Sequence, residues 1–283
     1  MPSSPNSDTG LFVEHSVARL IETALLEQQA RYMVATGGPE PAPGTGLLRI
    51  GSAQAGFRGV GHPSNRVTAF GMSEPVTPDQ IDAAEAFFRE RAEACRVDAC
   101  PLADQSLFDL LRLRGYTLNS LTNVLVRTCP SPHEDLSSTD GVVVRRIGPE
   151  SAEVFSQTLT KGFHGDQEPP PVYRGIAKLC FSIPEARPML AEIDGRPVGG
   201  GTVEFIGEVA CLYGAATIEA FRKRGVQTAL LRHRLKLVRD EAATGSAIRV
   251  VMIQTRPGSE SERNIVRAGF RLAYTRPQLV RTV

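Results

Sequence analysis

The sequence predicts an α/β protein of the α+β kind, built from two similarly folded halves. Alternating apolar residues on both sides of Asp194-Gly195-Arg196 indicate a strand hairpin, since an Asp-Gly pair suits a tight turn. The buried-strand pattern at 209–217 is followed by a helical pattern at 226–239. Residues 111–128 also align without a gap on residues 265–282, with six identities in 18 positions. Because the offset of 154 is close to half the length, it indicates an internal repeat.

The residue pattern of the C-terminal half predicts a series of strands and helices. A helix start at Ser259 leads to a Gly-aromatic corner at Gly269-Phe270 and then to a long final strand. The repeat gives the N-terminal half the same ending, with its corner at Gly115-Tyr116. The other predicted elements of the C-terminal half are strands at 188–193, 197–205, 209–217 and 247–254, and the helix at 226–239.

The N-terminal half begins with an amphipathic helix at about 14–33, followed by strands at 47–50 and 66–70. A second helix starts at Thr77-Pro78-Asp79-Gln80, where Thr caps the helix, Pro occupies its first turn and Gln follows three residues after the cap. The loop before it, 71–76, contains no basic residue, so we expect no nucleotide site there. The buried stripe of this helix is predicted to comprise Ile81, Ala84, Phe87, Phe88 and Cys95.

A polar segment with two prolines and no apolar period separates the halves. We therefore predict an N-terminal domain at 1–130, a linker at 131–141 and a C-terminal domain at 142–283. A chain of 283 residues is long enough for two cores of ordinary size.

The loop between the strand at 209–217 and the following helix has the composition of an anion site. It places three cations and a glycine directly before the first helical turn. Free N–H groups at a helix N-terminus bind phosphate oxygens, and Gly225 lets the backbone come close to them. A pyrophosphate fits such a loop, and a solvated basic loop is the alternative. The loop and first turn consist of Arg222, Lys223, Arg224, Gly225, Val226, Gln227 and Thr228.

These residues resemble the GCN5-related N-acetyltransferase (GNAT) family, whose signature is Gln/Arg-x-x-Gly-x-Gly/Ala on the loop that holds the pyrophosphate of acetyl-CoA. Arg222, Gly225 and Gln227 fill the three positions, with Gln227 replacing the small residue. The resemblance covers roughly residues 142–283. It implies GNAT-like domains in tandem, each with a central mixed, mostly antiparallel sheet flanked by helices, and acetyl-CoA as co-substrate. It further implies that Ala215, Ala216 and Thr217 contact the coenzyme.

The catalytic residues depart from those of the relatives. Cys211 stands where relatives often have a glutamate base, and Ile265 stands where they commonly have a tyrosine acid. For the base, we consider Tyr213, a water held by Glu208, or an amine that arrives already deprotonated; a core role for Tyr213 is the alternative. Ser261 and Asn264 are candidates for binding the pantetheine or reaching the sulfur through a water, or they cap and solvate their helix.

Composition narrows the partners and the compartment. The formal charge of +1 is too balanced for a dedicated nucleic-acid binder. No apolar run is long enough to span a bilayer, so we expect no membrane partner. Five cysteines without a Cys-x-x-Cys spacing fit free thiols in a reducing cytoplasm, so we expect a cytoplasmic protein. Five scattered histidines give no metal site. The sequence leaves a monomer and a homodimer open.

The resemblance therefore implies an N-acetyltransferase that acetylates a primary amine, of a small molecule or a protein, by direct attack on acetyl-CoA. Acidic residues at 166–168 would suit a cationic amine. The missing glutamate and tyrosine leave open a non-catalytic acyl-CoA-binding or regulatory protein.

Overall fold

The structure is a computed structural model that describes residues 13–36, 44–170, 173 and 175–282. Short 3₁₀ segments cover Pro149–Ser151, Ile176–Ser182 and Glu219–Phe221. The helices are α1 (His15–Val34), α2 (Pro78–Arg89), α3 (Gln105–Leu113), α4 (Ala152–His164), α5 (Val226–Ala243) and α6 (Glu260–Arg267). The strands are β1 (Gly46–Ile50), β2 (Ala53–Phe57), β3 (Arg66–Thr68), β4 (Cys95–Asp98), β5 (Thr117–Arg127), β6 (Val143–Arg146), β7 (Ala186–Ile193), β8 (Arg196–Ile206), β9 (Val209–Thr217), β10 (Val250–Thr255) and β11 (Arg271–Arg281).

The strands form one mixed, mostly antiparallel sheet that is flanked by helices. Its order is β1-β2-β3-β4-β11-β5-β10-β9-β8-β7-β6. Among the described pairs, β3 with β4 and β9 with β10 run parallel, and the others run antiparallel. The sheets of the two halves are continuous, because hydrogen bonds between β5 and β11 join them.

The two halves exchange their last strands. β11, from the end of the chain, pairs with β4 of the N-terminal half, while β5 pairs with β10 of the C-terminal half. The predicted linker, 131–141, lies between β5 and β6, so the chain passes from one half to the other after β5 is already in the sheet of the second half.

The β5–β11 register carries the internal repeat. The pair Leu118–Leu279 maps onto the pair Leu125–Leu272 when 154 is added to one number and subtracted from the other. The pair Thr122–Arg276 maps onto itself, so a local pseudo-twofold axis passes there. Both register shifts obey the same relation. The weak sequence repeat therefore corresponds to a structural one.

Helices cover the sheet on both faces around β9 and β10. Successive side chains of a strand point to opposite faces. Ala210 and Leu212 pack in a core with α5, whereas Val209 and Cys211 pack in a core with α1. Thus α1, although it comes from the N-terminal half, lies on strands of the C-terminal half.

Local predictions for the N-terminal half need two corrections. Cys95 is the first residue of β4 and not part of the α2 stripe, since α2 ends at Arg89. The strand expected at 66–70 ends at Thr68. In the part of the chain that the structure describes, no helix combines the length and the apolar character needed to cross a bilayer.

Candidate active site

A cavity of about 550 Å³ opens where β9, α4, the basic loop and the first turns of α5 and α6 meet. Eleven of the twelve residues proposed from the sequence to hold a coenzyme line it. The lining consists of Gly162, Phe163, Ala215, Ala216, Thr217, Phe221, Arg222, Lys223, Gly225, Val226, Gln227, Thr228, Glu260, Ser261, Arg263, Asn264 and Arg267.

A gap between β9 and β10 gives the cavity its floor. The two strands pair from Val209–Val250 to Leu212–Ile253, and the described register ends there. Beyond this point β9 keeps pairing with β8 on its other side, through Ala216 and Thr217. The β10-facing edge of β9 therefore offers N–H and C=O groups to a ligand that lies along it.

The start of α5 supplies the anion-binding groups. Gly225 is the N-cap, and no side chain caps the helix there. Its φ of +79° lies in the left-handed region that glycine adopts without strain. The N–H groups of Val226, Gln227 and Thr228 have no partner within an α-helix, so they remain available to phosphate oxygens at the positive end of the helix dipole.

Two of the three loop cations face the cavity. Arg222 and Lys223 line it, and Arg222 also donates from Nη2 to the carbonyl of Gly162 at 3.3 Å. The guanidinium carbon of Arg224 instead lies 5.4 Å from the centre of the Phe221 ring. Arg224 is therefore the one proposed coenzyme residue that is not part of the described cavity wall.

The wall opposite β9 is formed by α6. Ser259 is its N-cap, since Ser259 Oγ accepts a hydrogen bond from the Glu262 N–H at 3.1 Å. Ser261 and Asn264 are not needed for that cap and line the cavity. Ser261 and Asn264 thus border the cavity, as the sequence predicted, and their roles in binding the coenzyme stay a prediction.

The cavity also contains an unpartnered polar atom. Thr217 Oγ1 is buried and has no hydrogen-bond partner in the described part of the chain. A buried hydroxyl without a partner costs free energy unless a ligand or water binds it. Together with the open helix start and the open strand edge, this hydroxyl suits a long ligand with an anionic end and amide groups.

A buried arginine of α5 lies near Ala215. Arg234 of α5 is fully buried, and burial lowers its pKa to about 10. A Cβ built on Gly201 would lie 3.5 Å from the Arg234 guanidinium carbon and 3.3 Å from Ala215 Cβ. Its charge therefore adds to the positive potential near Ala215.

Tyr213 lies on β9 two residues before Ala215 but does not line this cavity. Its hydroxyl is buried and has no hydrogen-bond partner among the described residues. Its ring lies 5.8 Å from that of Tyr32 of α1, in an edge-to-face arrangement. Burial, with Tyr32 and Glu204 nearby, raises the pKa of the Tyr213 hydroxyl well above its ordinary value. Tyr213 is therefore protonated and needs a stronger base behind it.

Glu208 is not brought to the site. It begins the turn into β9, roughly 20 Å along the strand from Ala215. Its carboxylate bonds to Arg249 Nη1 at 3.1 Å. The hypothesis that Glu208 holds a catalytic water is therefore not supported by its position.

The carboxylate near Tyr213 is Glu204, which sequence reasoning missed. It lies on β8, in register with Cys211, and its side chain is completely buried. Gln28 Nε2 and Arg31 Nη1 of α1 each donate to it at 3.1 Å. Burial raises the pKa of Glu204, which makes it a stronger base. The signal in the sequence was a lone acid between Val203 and Phe205 in an apolar strand.

The two positions at which relatives have catalytic residues are core positions here. Cys211 is buried beneath α1, and burial raises the pKa of its thiol. Ile265 of α6 is buried in the core beneath α5. Neither side chain can transfer a proton at the cavity.

One family model matches the part of the chain that contains the cavity. Residues 153–270 match the model of the Acetyltransferase (GNAT) family. The C-terminal half of the chain therefore carries a GNAT domain, and the cavity lies within it. A search of curated protein sequences found no significant match.

Solved structures extend the likeness to both halves. A GCN5-related N-acetyltransferase from Kribbella flavida is 15% identical, with a TM-score of 0.61 over 93% of this chain and 95% of that one. A tandem GNAT protein from the clavulanic acid biosynthesis pathway is 13% identical, with a TM-score of 0.58 over 96% of both chains. A protein of unknown function from Staphylococcus epidermidis is 11% identical, with a TM-score of 0.59 over 84% of this chain and 94% of that one. At these identities the likeness is one of fold.

Proposed function

We propose that the chain is an N-acetyltransferase that transfers the acetyl group of acetyl-CoA to a primary amine, using the cavity of the C-terminal half. The observation that carries this proposal is the meeting of an uncapped helix start, two cationic side chains and an unpaired strand edge in one cavity. Its occurrence inside a GNAT-family match adds a second, independent line of support.

Each part of the cavity has a task in this proposal. The N–H groups of residues 226–228, with Arg222 and Lys223, would hold a pyrophosphate. The open edge at 215–217 would bond the amides of the pantetheine, and the Thr217 hydroxyl would find its missing partner there. When bound, acetyl-CoA supplies an activated acyl group on a thiol leaving group.

The chain's own residues would then position the amine and take its proton. Tyr213 lies beside the cavity, and the buried Glu204 lies on the neighbouring strand β8, in register with Cys211. The Tyr213 hydroxyl has no direct hydrogen-bond partner among the described residues, so a proton that its oxygen accepts would be matched by one passed on to Glu204 through a bridging water. The phenol then needs no net change of charge. Because Ile265 stands where relatives have a tyrosine acid, no side chain there can protonate the leaving thiolate. Correct placement of the reactants would therefore provide most of the acceleration.

Cys211 and Ile265 also support a second candidate, a protein that binds acyl-CoA without turnover. In that case the cavity would serve a regulatory role. The five free cysteines fit a reducing compartment for either candidate, and we propose the cytoplasm.

Two measurements test the proposal. Titration calorimetry with acetyl-CoA should give one binding event per chain, and release of free CoA thiol should depend on an added amine. Binding without amine-dependent thiol release would favour the second candidate. Absence of any binding would remove both candidates.

A control variant keeps the calorimetry specific. Arg249→Ala removes an exposed cation that pairs with Glu208 at the far end of β9. It should bind acetyl-CoA as the unaltered chain does, which would exclude a general effect of lost positive charge.

A further inference from the structure

A second cavity, of about 230 Å³, lies where the two halves meet beneath α1. We call it the junction pocket. Both halves contribute polar side chains to it, from α1, β3 and β4 on one side and from β9, β10 and β11 on the other. It is lined by Leu25, Gln28, Gln29, Tyr32, Ser64, Arg66, Thr68, Asp98, Tyr213, Gln254 and Arg276.

The single carboxylate of this lining is already fully bonded. Asp98 Oδ1 accepts from Gln278 Nε2 at 2.8 Å, and Oδ2 lies 3.4 Å from Arg66 Nε and 3.5 Å from Arg276 Nη2. Burial opposes its ionisation, but Arg276 and Arg66 lower the pKa of Asp98 below its ordinary value. Asp98 is therefore charged, and it has little capacity left for a cationic ligand.

Arg276 is occupied in the same way. Its Nη1 bonds to both carboxylate oxygens of Glu22, at 3.1 and 3.2 Å, and its Nη2 bonds to the Gln254 carbonyl oxygen. Because Gln254 uses its oxygen for Arg276, its amide N–H₂ group is what remains for a ligand.

Among the described residues, no hydrogen bond or ion pair engages the two terminal nitrogens of Arg66. Its side chain is one-third exposed, and the ion pair with Asp98 uses Nε. The two terminal nitrogens form the fork that binds a carboxylate through two parallel hydrogen bonds. One end of the junction pocket therefore offers donors to an anion.

The other end offers acceptors. Gln28 gives its N–H₂ group to Glu204, so its carbonyl oxygen is left for the pocket. The Tyr213 hydroxyl is buried and has no hydrogen-bond partner among the described residues, and Glu204 lies on the neighbouring strand opposite Cys211. An ammonium group at this end would find two acceptor oxygens, one from Gln28 and one from Tyr213.

The end of the junction pocket that carries the oxygens of Gln28 and Tyr213 is also the end nearest the cavity of the GNAT domain. Tyr213 lines the junction pocket and Ala215 lines the other cavity, about 7 Å further along β9. Gln254 directly follows Ile253, the last residue of β10 that pairs with β9. Tyr213 of β9 and Gln254 of β10 thus lie where the gap between these two strands begins.

We propose that the junction pocket is the acceptor site and that it selects a small amine bearing a carboxylate, such as an amino acid. Arg66 binds the carboxylate, and the amine lies at Gln28 and Tyr213 beside the gap. This inference rests on the proposed acetyl transfer and assigns the N-terminal half a direct role in choosing the substrate. It replaces the cationic amine expected from residues 166–168, since Asp166 is exposed and pairs with Lys161 at 3.6 Å.

Matched pairs of amines test this directly in the unaltered protein. Each α-amino acid, together with ornithine, β-alanine and 4-aminobutyrate, is compared with its decarboxylated partner in a CoA thiol-release assay. We expect at least one carboxylated amine to exceed its partner in kcat/KM by about 30-fold, the effect of one charge-assisted bidentate contact. Failure of every carboxylated amine to exceed its partner overturns the inference.

Variants at Arg66 sharpen the assignment. Arg66→Met should raise KM for the preferred amine by about 30-fold and leave the affinity for acetyl-CoA unchanged, whereas Arg66→Lys should retain part of the preference. Arg49→Met, at an exposed site on β1, is the matched control and should change neither value. An unchanged preference in Arg66→Met would also overturn the inference.

The experiment separates this inference from the proposed function. Loss of acetyl-CoA binding in calorimetry would remove the acetyltransferase itself. Retained binding, together with turnover that ignores the carboxylate, would remove only the acceptor assignment. If Arg66→Met fails to fold in thermal unfolding, the paired amines still decide the question in the unaltered chain.

Discussion

Helices α2 and α5 occupy corresponding places in the two halves, yet their first turns differ. Each follows one strand of a parallel pair, β3 with β4 and β9 with β10. At α2, the Thr77 side chain accepts from the Gln80 N–H, and Gln80 Oε1 accepts from the Thr77 N–H. At α5, Gly225 leaves the same groups open.

The loops before these helices differ in the same sense. The Val76 N–H donates to Ser106 Oγ at 2.7 Å, and the Gly71 carbonyl accepts from the Asp104 N–H at 2.8 Å. This loop is therefore closed onto the start of α3. The loop before α5 instead borders a cavity of about 550 Å³.

One fold can thus either satisfy the N–H groups of a helix start internally or leave them for a ligand. A capping box contributes to stability, while an uncapped start keeps donors free for anions. On this basis we expect acetyl-CoA to bind to the C-terminal half of the chain and not to the N-terminal half.

Among the substitutions considered, an acidic cap at the start of α5 should have the largest effect on acetyl-CoA binding. We expect Gly225→Asp to weaken acetyl-CoA binding by about 100-fold, because a carboxylate would occupy the N–H groups and repel the pyrophosphate. A Cβ at Gly225 would lie 2.6 Å from Thr139 Cγ2, so the change is made together with Thr139→Ser. Calorimetry measures the affinity.

The control for that experiment is Gly225→Asn in the same Thr139→Ser background. It fills the site with a neutral group of the same shape, and we expect about 10-fold weaker binding from the lost N–H donors alone. If both variants bound as tightly as Thr139→Ser alone, the helix start would not be the anion site.

The loop arginines should show an intermediate and unequal effect. We expect Arg222→Ala to weaken acetyl-CoA binding by about 10-fold, since Arg222 faces the cavity. Arg224→Ala should cost less than about 3-fold, because Arg224 stacks on Phe221. Both affinities are measured at one fixed salt concentration. Equal losses of affinity would contradict the prediction that Arg222 contacts the coenzyme and Arg224 does not.

The smallest effect is expected at the closed helix start. Thr77→Ala should lower the free energy of unfolding by about 1 kcal/mol through loss of the cap. Denaturant unfolding measures this loss, and Thr77→Ser, which keeps the hydroxyl, is the control. Acetyl-CoA affinity should be unchanged, and a clear decrease would show that the N-terminal helix start takes part in binding.

Local elements were predictable where short-range chemistry determines them. The strand at 209–217 has the predicted bounds, because a continuous apolar run is bounded by a turn and a basic loop. The start of α5 after Gly225 and the capping box of α2 followed from residue types alone. The same local signals brought most of the proposed coenzyme residues to one cavity.

Other features depend on contacts between distant parts of the chain. The strand Ala53–Phe57 was missed because Ala-Gln-Ala-Gly-Phe lacks β-branched residues, although all five residues are buried. The buried Glu204 depends on Gln28 and Arg31, more than 170 residues away. Pattern analysis of one segment cannot reveal such partners.

The crossing of β5 and β11 affects how the protein can form during synthesis. The sheet of the N-terminal half receives its fifth strand from residues 271–281. A ribosome must therefore translate almost the whole chain before the first half can be completed, and until then β4 presents an unprotected edge. Such long-range closure favours slow, late folding, so the nascent first half should rely on chaperones more than its size suggests.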